Sequence, residues 1–457
     1  MSSTEPRPVS TAFLDALSAT TERKLAAFTP VPSSFAATDE HAVGRITRAA
    51  ARLAPAAVAL ARDLHAHPEE AFREHRSVAA ITELLRANGS APTVGTHGLD
   101  TSFRVGLTAD GPDDGLVDNG NDPDHAPTIA ILAEYDALPQ IGHACGHNVI
   151  AAAAVSAFLA LGAAVADGLD LPGRVLLLGT PAEEGNSGKE ILARAGFLDG
   201  VDAAIMMHPF GFDVVDQPFL GRRQQRVTYR GTAAHASASP FQGRNALDAV
   251  ALNYQAVGFL RQHIPPSDRV HGIVLEGGDR PSVVPERATI EYYVRSAAPE
   301  TLRDLSDRLD DIANGVALAT GTRAEIRWDP VPFTLPVRTN GPLAARWTEH
   351  QQRVGRTSTS GGVVPEILAA STDFGNVSVR LPGIHPMIAV GAPDVALHTR
   401  EFAAVAGGPA ADAAVRDGAL GLALTAFDYL VDPQLRRAVH DDFAAQGGPL
   451  EVEGYFG

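Results

Sequence analysis

Between residues 128 and 209 the chain repeats one pattern: a short apolar run that stops on acids or histidine. "TIAILAEYDALP" (128–139), "GRVLLLGTPAEEG" (173–185) and "VDAAIMMHP" (201–209) each follow it. Runs of this length and composition predict buried strands with polar C-terminal ends. Between the first two lies "VIAAAAVSAFLALGAAVA" (149–166), the longest apolar stretch. Its length approaches a membrane span. It is Ala-rich, however, and follows directly on a polar motif, so a core helix is the expected reading. Upstream, "ITRAAARLAPAAVALARDLHAH" has apolar residues at helical spacing, and residues 44–88 read as helical. Strands alternating with helices predict an α/β fold with a mostly parallel sheet covered by helices on both faces. Ligands on such sheets sit at the C-terminal ends of the strands.

From about residue 223 the rhythm changes. "QRVTYRG", "RVHGIVLEGG", "RATIEYYVRS" and "RAEIRW" read as strands; "NALDAVALNYQAVGFLRQHI" and "PETLRDLSDRLDDIANGVALAT" read as helices. Their order is β-α-β-β-α-β, a ferredoxin-like α+β arrangement. It predicts a unit inserted at 223–332 into a domain built from residues 1–222 and 333–457. The first 40 residues, rich in Ser, Thr, Pro and Ala, read as an arm or peripheral helix. No repeat of solenoid period is present.

Charge and cysteine usage narrow the function. Of 457 residues, 37 are Lys or Arg and 54 are Asp or Glu, a net charge of −17. No basic run stands out, which argues against a nucleic-acid partner. The N-terminus lacks a basic region followed by an apolar core, so no secretory signal is expected. The one cysteine, Cys145, can form no intrachain disulfide. That suits a reducing compartment, and a cytoplasmic protein is expected.

Cys145 sits in "GHACGHN" (142–148) between His143 and His147. Four places combine metal-ligand residue types with predicted strand ends or loops: Cys145 with His147, the pair Glu183–Glu184, His208, and His398. Thiolate, imidazole and carboxylate hold Zn²⁺ and similar ions. An acid pair on a turn can address two partners, one carboxylate on metal and the other on water. A metal lowers the pKa of bound water to about 7, and a nearby carboxylate can then carry its proton. The residues themselves leave open which Glu does which. Each position also has a plainer reading, such as a core cysteine or a solvated acid pair.

Taken together, "DLHAHPEEAF", "AEYDALPQIGHACGHN", "GTPAEEGNSGKEIL", "MMHP", "GTAAHASASPFQGRNALDA", "VPERATIEYYVRS", "STDFGNVS" and "ALHTREF" resemble the metallopeptidase family of the aminoacylases and glutamate carboxypeptidases, in its amidohydrolase branch. The segments come in family order from residue 63 to 402. "STDFGNVS" points toward the dipeptidase-like and aminobenzoyl-glutamate-like members. The resemblance implies a metal-dependent hydrolase of an N-acyl amino acid, dipeptide or aryl-amide, with one or two ions, Mn²⁺ or Zn²⁺. It implies Cys145, His147, Glu184, His208 and His398 as ligands and Glu183 as general base. Asp136 would orient the site. His235, in the inserted unit, would reach a partner subunit's site and stabilise an oxyanion, which implies a homodimer at least. Asn245 and Arg295 would bind substrate, often through a carboxylate; their plainer readings are a helix cap and a surface ion pair. His65, His67 and His143 are not expected as ligands, and the sequence leaves His385 open. Two departures stand out: Asn148 where the family commonly has Asp, and Ser282 where it commonly has Asn. They motivate a second reading, displacement of an amino group from an activated aromatic ring as in the 5-nitroanthranilate aminohydrolase of the same family.

Overall fold

The apolar runs at 128–133 and 174–179 form adjacent parallel strands whose side chains divide by parity. Ile129, Ile131 and Ala133 enter the main core, while Ala130 and Leu132 enter a second cluster on the opposite face. Val175 and Leu177 against Leu176 and Leu178 repeat the division. A strand covered on both faces needs an unbroken apolar run, which is why periodicity 2 is invisible here.

The computed structural model describes residues 10–35, 39–115 and 126–456; the remaining residues of the N-terminal arm lie outside the described residues. Helices α1 (Ala12–Ala27), α2 (Glu40–Ala66) and α3 (His75–Ala87) precede strands β1 (Thr93–Val94), β2 (Phe103–Thr108), β3 (Gly111–Asp113) and β4 (Thr128–Ala133). Next come α4 (His147–Ala166), β5 (Arg174–Gly179), α5 (Gly188–Arg194), β6 (Ala203–Ile205) and β7 (His208–Phe210). The second unit holds β8 (Gly221–Arg230), α6 (Ala246–Leu260), β9 (Arg269–Glu276), β10 (Arg287–Ser296), α7 (Pro299–Thr320) and β11 (Arg323–Trp328). The chain then forms α8 (Gly341–Arg353), α9 (Phe374–Ser378), β12 (Gly383–Ile384), β13 (Met387–Ala389), α10 (Arg400–Ala406), α11 (Pro409–Val431) and α12 (Pro433–Ala445).

The main sheet runs β1-β2-β5-β4-β6-β12, with β3 paired to β2. Strands β5, β4, β6 and β12 are parallel, whereas β1, β2 and β3 run antiparallel to their neighbours. The sheet therefore has the parallel centre that the sequence predicts and an antiparallel margin that it does not. Strand β2, "FRVGLT", escapes the pattern because Arg104 and Gly106 interrupt its apolar run. The predicted helical region 44–88 also divides. Pro68 disfavours helical geometry at His67, which closes α2 at φ −132°. Helix α4 is the expected core helix, packed between α2 and α11. It is long and apolar enough to cross a membrane, yet 78% of its apolar window is buried inside the protein. Its alanines let neighbouring helices approach closely, and burial of Phe158 alone contributes roughly 2 kcal/mol.

The second sheet has the order β11-β8-β10-β9, antiparallel throughout. Helices α6 and α7 cover one face, over Val227, Tyr229, Ile290, Tyr292 and Val294. Successive side chains alternate, so the opposite face carries Arg222, Arg226, Thr228, Glu291, Tyr293 and Arg295. The two segments that join this unit to the rest are paired. Arg222 N–H donates to Thr334 O at 2.8 Å, and Thr334 N–H donates to Arg222 O at 2.9 Å.

Candidate functional site

Because β5, β4 and β6 are parallel neighbours, their C-terminal ends deliver "PAEE", "EYD" and "MMH" to one edge of the sheet. The loop before α4 adds Cys145 and His147. Gly146 between them has φ +79°, and a Cβ there would meet Pro209 Cγ at 2.8 Å. Only glycine fits this turn without strain. His398 comes from the loop before α10, its own φ at 62° and its N–H bonded to Ala144 O at 2.9 Å. Glu183 and Glu184 lie between left-handed residues, Ala182 at φ 60° and Gly185 at φ 74°. That sharp turn lets both carboxylates face the same cleft.

The ligand-type atoms cluster in three overlapping groups: Cys145, His147 and His208; Cys145, Glu184 and His398; and His147, Glu183 and Glu184. Within each group every ligand atom lies within 4.8 Å of the others. Cys145 Sγ is 3.4 Å from His208 Nε2. His147 Nε2 is 3.4 Å from Glu134 Oε2 and 3.9 Å from Glu184 Oε1, and His398 Nε2 is 3.6 Å from Glu184 Oε2.

The far sides of His147 and His208 are tied down. His147 Nδ1 bonds Asp136 Oδ1 at 2.9 Å, and His208 Nδ1 bonds the carbonyl of Pro209 at 2.7 Å. A carbonyl only accepts, so Nδ1 of His208 carries the proton and its Nε2 lone pair is free for a cation. Such outer contacts fix ring orientation in metal sites. Asp136 does more, because its Oδ2 accepts the N–H of Glu184 at 2.8 Å. One carboxylate thereby couples the ends of two strands.

Among buried atoms without a hydrogen-bond partner are His147 Nε2, Glu134 Oε2 and Glu184 Oε1, all turned toward the cluster. Burial pushes the Cys145 thiol and the Glu183 carboxyl well above their ordinary ranges, and raises Glu184 to about 7. Burial opposes charge on His147, yet Asp136 and Glu134 hold its pKa well above normal. A cage with so strong an affinity for protons is one whose negative charge a divalent cation would balance. The donors present, thiolate, imidazole and carboxylate, fit such an ion.

Behind the cage lies a feature that residue spacing does not announce. Lys189 is buried and bridges Glu134, in a short contact, and Asp373 at 2.6 Å. Asp373 also accepts the N–H of Lys189 at 2.9 Å. Burial alone would raise Glu134, but Lys189 and then His147 overrule it and hold the carboxyl at about 2. Glu74 is buried as well. It accepts from Thr101 Oγ at 2.7 Å and from the N–H of Ala182 at 2.9 Å, bracing the turn that presents Glu183. These four residues lie in "HPEEAFRE", "AEYDALP", "GNSGKEIL" and "STDFGNVS". For Glu134, after the apolar run of β4, and Lys189, in a Gly-containing turn, a charge beside an apolar or Gly-rich segment was the available signal; Glu74 and Asp373 sit in polar segments that carry none.

A cleft of about 500 Å³ opens onto the cluster. Cys145, Glu183, Glu184, His208, His398 and Arg295 all line it, joined by Arg222 and Tyr293. Arg295 is half-buried and forms no ion pair among the described residues, so it is not the surface pair of its plainer reading. Asn245 is the helix cap of its own. Its Oδ1 accepts from the N–H groups of Leu247 at 2.9 Å and Asp248 at 3.4 Å, and it lines a separate cavity with Ala236 and Pro281. His235 is exposed, its Nδ1 accepting the N–H of Ala238 at 3.1 Å. The structure thus brings together the five ligand candidates, Glu183, Asp136 and Arg295, and leaves His235 and Asn245 outside the cleft of their own chain. Asn148 is also not where the sequence suggests. It is buried, and its Nδ2 donates to Ala61 O at 3.2 Å and Ala406 O at 3.0 Å, tying α4 to α2 and α10. Its departure from the family residue concerns helix packing. Ser282 is exposed, its carbonyl accepting the N–H of Ala236 at 3.0 Å.

Residues 130–410 match the profile described as peptidase family M20/M25/M40. A Xaa-Arg dipeptidase of Mus musculus is 37% identical over 410 residues, which cover 88% of this chain and 91% of that protein. A p-aminobenzoyl-glutamate hydrolase polypeptide of Escherichia coli (strain K12) is 31% identical over 405 residues, covering 73% and 80%. Among solved structures, a dinuclear metal-binding peptidase from Bacillus subtilis superposes with a TM-score of 0.61 at 21% identity, covering 82% of this chain and 99% of that one.

Proposed function

The chain belongs to peptidase family M20/M25/M40, and on that premise we propose that it hydrolyses the amide of an N-acyl amino acid, dipeptide or aryl-amide in the cleft beside Glu183. The observation that carries this reading is the convergence of Cys145, His147, Glu184, His208 and His398 around a free carboxylate, Glu183. Those five residues would hold a divalent ion, which when bound would supply Lewis acidity and lower the pKa of water. The donor groups overlap pairwise through Cys145, His147 and Glu184, and this set would hold one or two such ions. The thiolate favours Zn²⁺, while imidazole and carboxylate also accept Mn²⁺. The thiol must stay reduced, in keeping with the cytoplasm.

Glu183 has no hydrogen bond or salt bridge to the described residues, so both its oxygens are available. Its raised proton affinity suits a group that takes a proton from water and returns it to the leaving nitrogen. Asp136 keeps His147 and the backbone of Glu184 in place meanwhile. The names of the relatives favour amide cleavage over ring deamination. The test is mass spectrometry of products from the Mn²⁺- or Zn²⁺-loaded protein with acyl amino acids, dipeptides, aryl-amides and a nitroaminobenzoate. Free amino acid is the expected product. Ammonia from the nitroaminobenzoate, with every amide intact, would replace this reading by the aromatic one.

His235 is assigned to the oxyanion of a partner's site. Edge strand β9 exposes Ile273, Val274 and Leu275, and nearby α6 exposes Phe259. An unpaired apolar edge of this kind invites a second copy. Co-expression of Glu183→Gln and His235→Ala chains is expected to restore about a quarter of wild-type activity, because half the dimers then hold one intact site. No recovery over either variant alone would place His235 in its own chain's site or outside the reaction.

A further inference from the structure

The open face of the second sheet sets arginine against arginine at both ends, but at the far end Arg230 and Arg287 each have an acid, Glu325 and Glu276, and the rungs between the ends are matched. Thr228 stands opposite Thr289, their hydroxyls 3.1 Å apart, and Arg226 stands opposite Glu291, bonded at 2.6 Å. The last rung sets Arg222 directly opposite Arg295. Like charges in that position repel and destabilise a sheet. Arg269, on the far side of Arg295, adds a third cation to the row. Elsewhere on β8 each arginine has its acid: Arg223 has Asp329, Arg226 has Glu291 and Arg230 has Glu325. Arg222 is buried, and its partners are neutral: Ser187 Oγ at 3.0 Å, Pro332 O at 3.3 Å and Gly185 O at 3.4 Å. Arg295 has a buried Nε without a partner, and no salt bridge relieves either guanidinium among the described residues. Both flank Tyr293, at 5.2 and 5.9 Å from its ring centre, and all three line the cleft that holds the acidic cage.

A repulsive pair kept in a substrate cleft has a physical use if the substrate neutralises it. We propose that Arg222 and Arg295 together form an anion subsite for an acidic amino acid, glutamate or aspartate, on the carboxyl side of the scissile amide. The inference rests on the amidohydrolase reading and names its substrate class. One free carboxylate would leave a net positive charge in the half-buried rung. Two carboxylates, the α- and the side-chain group, balance both guanidiniums, and an arginine fork suits each. A basic residue in the same place would meet two cations with no acid beside them.

The decisive measurement is kcat/KM of the Mn²⁺- or Zn²⁺-loaded enzyme for benzoyl-glutamate against benzoyl-glutamine, with glycyl-arginine as a third substrate. Glutamate and glutamine differ in charge and hardly in size. A preference for glutamate on the order of 100-fold, carried mostly by KM, is expected from a desolvated charge pair. Arg222→Gln and Arg295→Gln should each shrink that ratio by about tenfold or more, and Arg222→Lys should recover part of it. Because Arg222 also bonds the turn after Glu184, the ratio measured on the unaltered enzyme is primary, and it stands even if a variant fails to fold. A ratio near one, or arginine cleaved as well as glutamate, would overturn the subsite and leave the amidohydrolase intact. Cleavage of no amide at all would overturn both.

Discussion

Glu183→Gln is expected to lower kcat by about 10³- to 10⁴-fold while the protein keeps nearly all its bound metal. The amide is almost the same size as the carboxylate and cannot take a proton from water. The five ligand candidates are untouched, and Asp136 still bonds His147 and the N–H of Glu184. Elemental analysis beside steady-state rates separates the outcomes. Loss of metal would make Glu183 a ligand, a role its place in one donor group with His147 and Glu184 would permit. Turnover near wild type would end its assignment as general base.

Lys189→Met should destabilise the fold by about 3–5 kcal/mol, because it strands Glu134 and Asp373 as buried charges without their cation. The loss is read from denaturant unfolding of the metal-free protein. Its pH dependence has a definite sign. In the wild type the Glu134 carboxyl is depressed to about 2, so its contribution is fully present above the unfolded carboxylate range near 4. That contribution fades as pH falls toward 2. In the variant the unpaired carboxylates gain by taking up protons, so the deficit should shrink on acidification. A deficit below 1 kcal/mol, or one that grows as pH falls, would contradict the network's role.

The sequence made the sheet centre and the cage legible for a common reason. Buried parallel strands require unbroken apolar runs, so β4, β5 and β6 announce themselves, and each ends in the polar residues that the sheet then gathers. The ferredoxin-like order was equally plain because its strands and helices are long. What stayed hidden depended on pairing. Arg104 and Gly106 disguised β2. Lys189 reads as a surface lysine at a helix start until Glu134 and Asp373 arrive from distant segments. Arg222 and Arg295 are 73 positions apart, and only the register of β8 against β10 makes them neighbours. Asn148 shows the converse error. A departure beside two ligand candidates invited a chemical explanation, but its side chain points into the helix packing.

The chain enters the second unit beside Arg222 and leaves it beside Thr334, and these residues exchange two backbone hydrogen bonds. Its entrance and exit are therefore one place. A lineage could acquire such a unit, or discard it, by a single event between two residues already in contact, without breaking a strand of the main sheet. The five ligand candidates all lie outside that insertion, whereas Arg295 and His235 lie within it and Arg222 at its threshold. The candidate metal cage and the residues proposed to meet substrate from the second unit thus sit on separable stretches of chain, free to evolve at different rates.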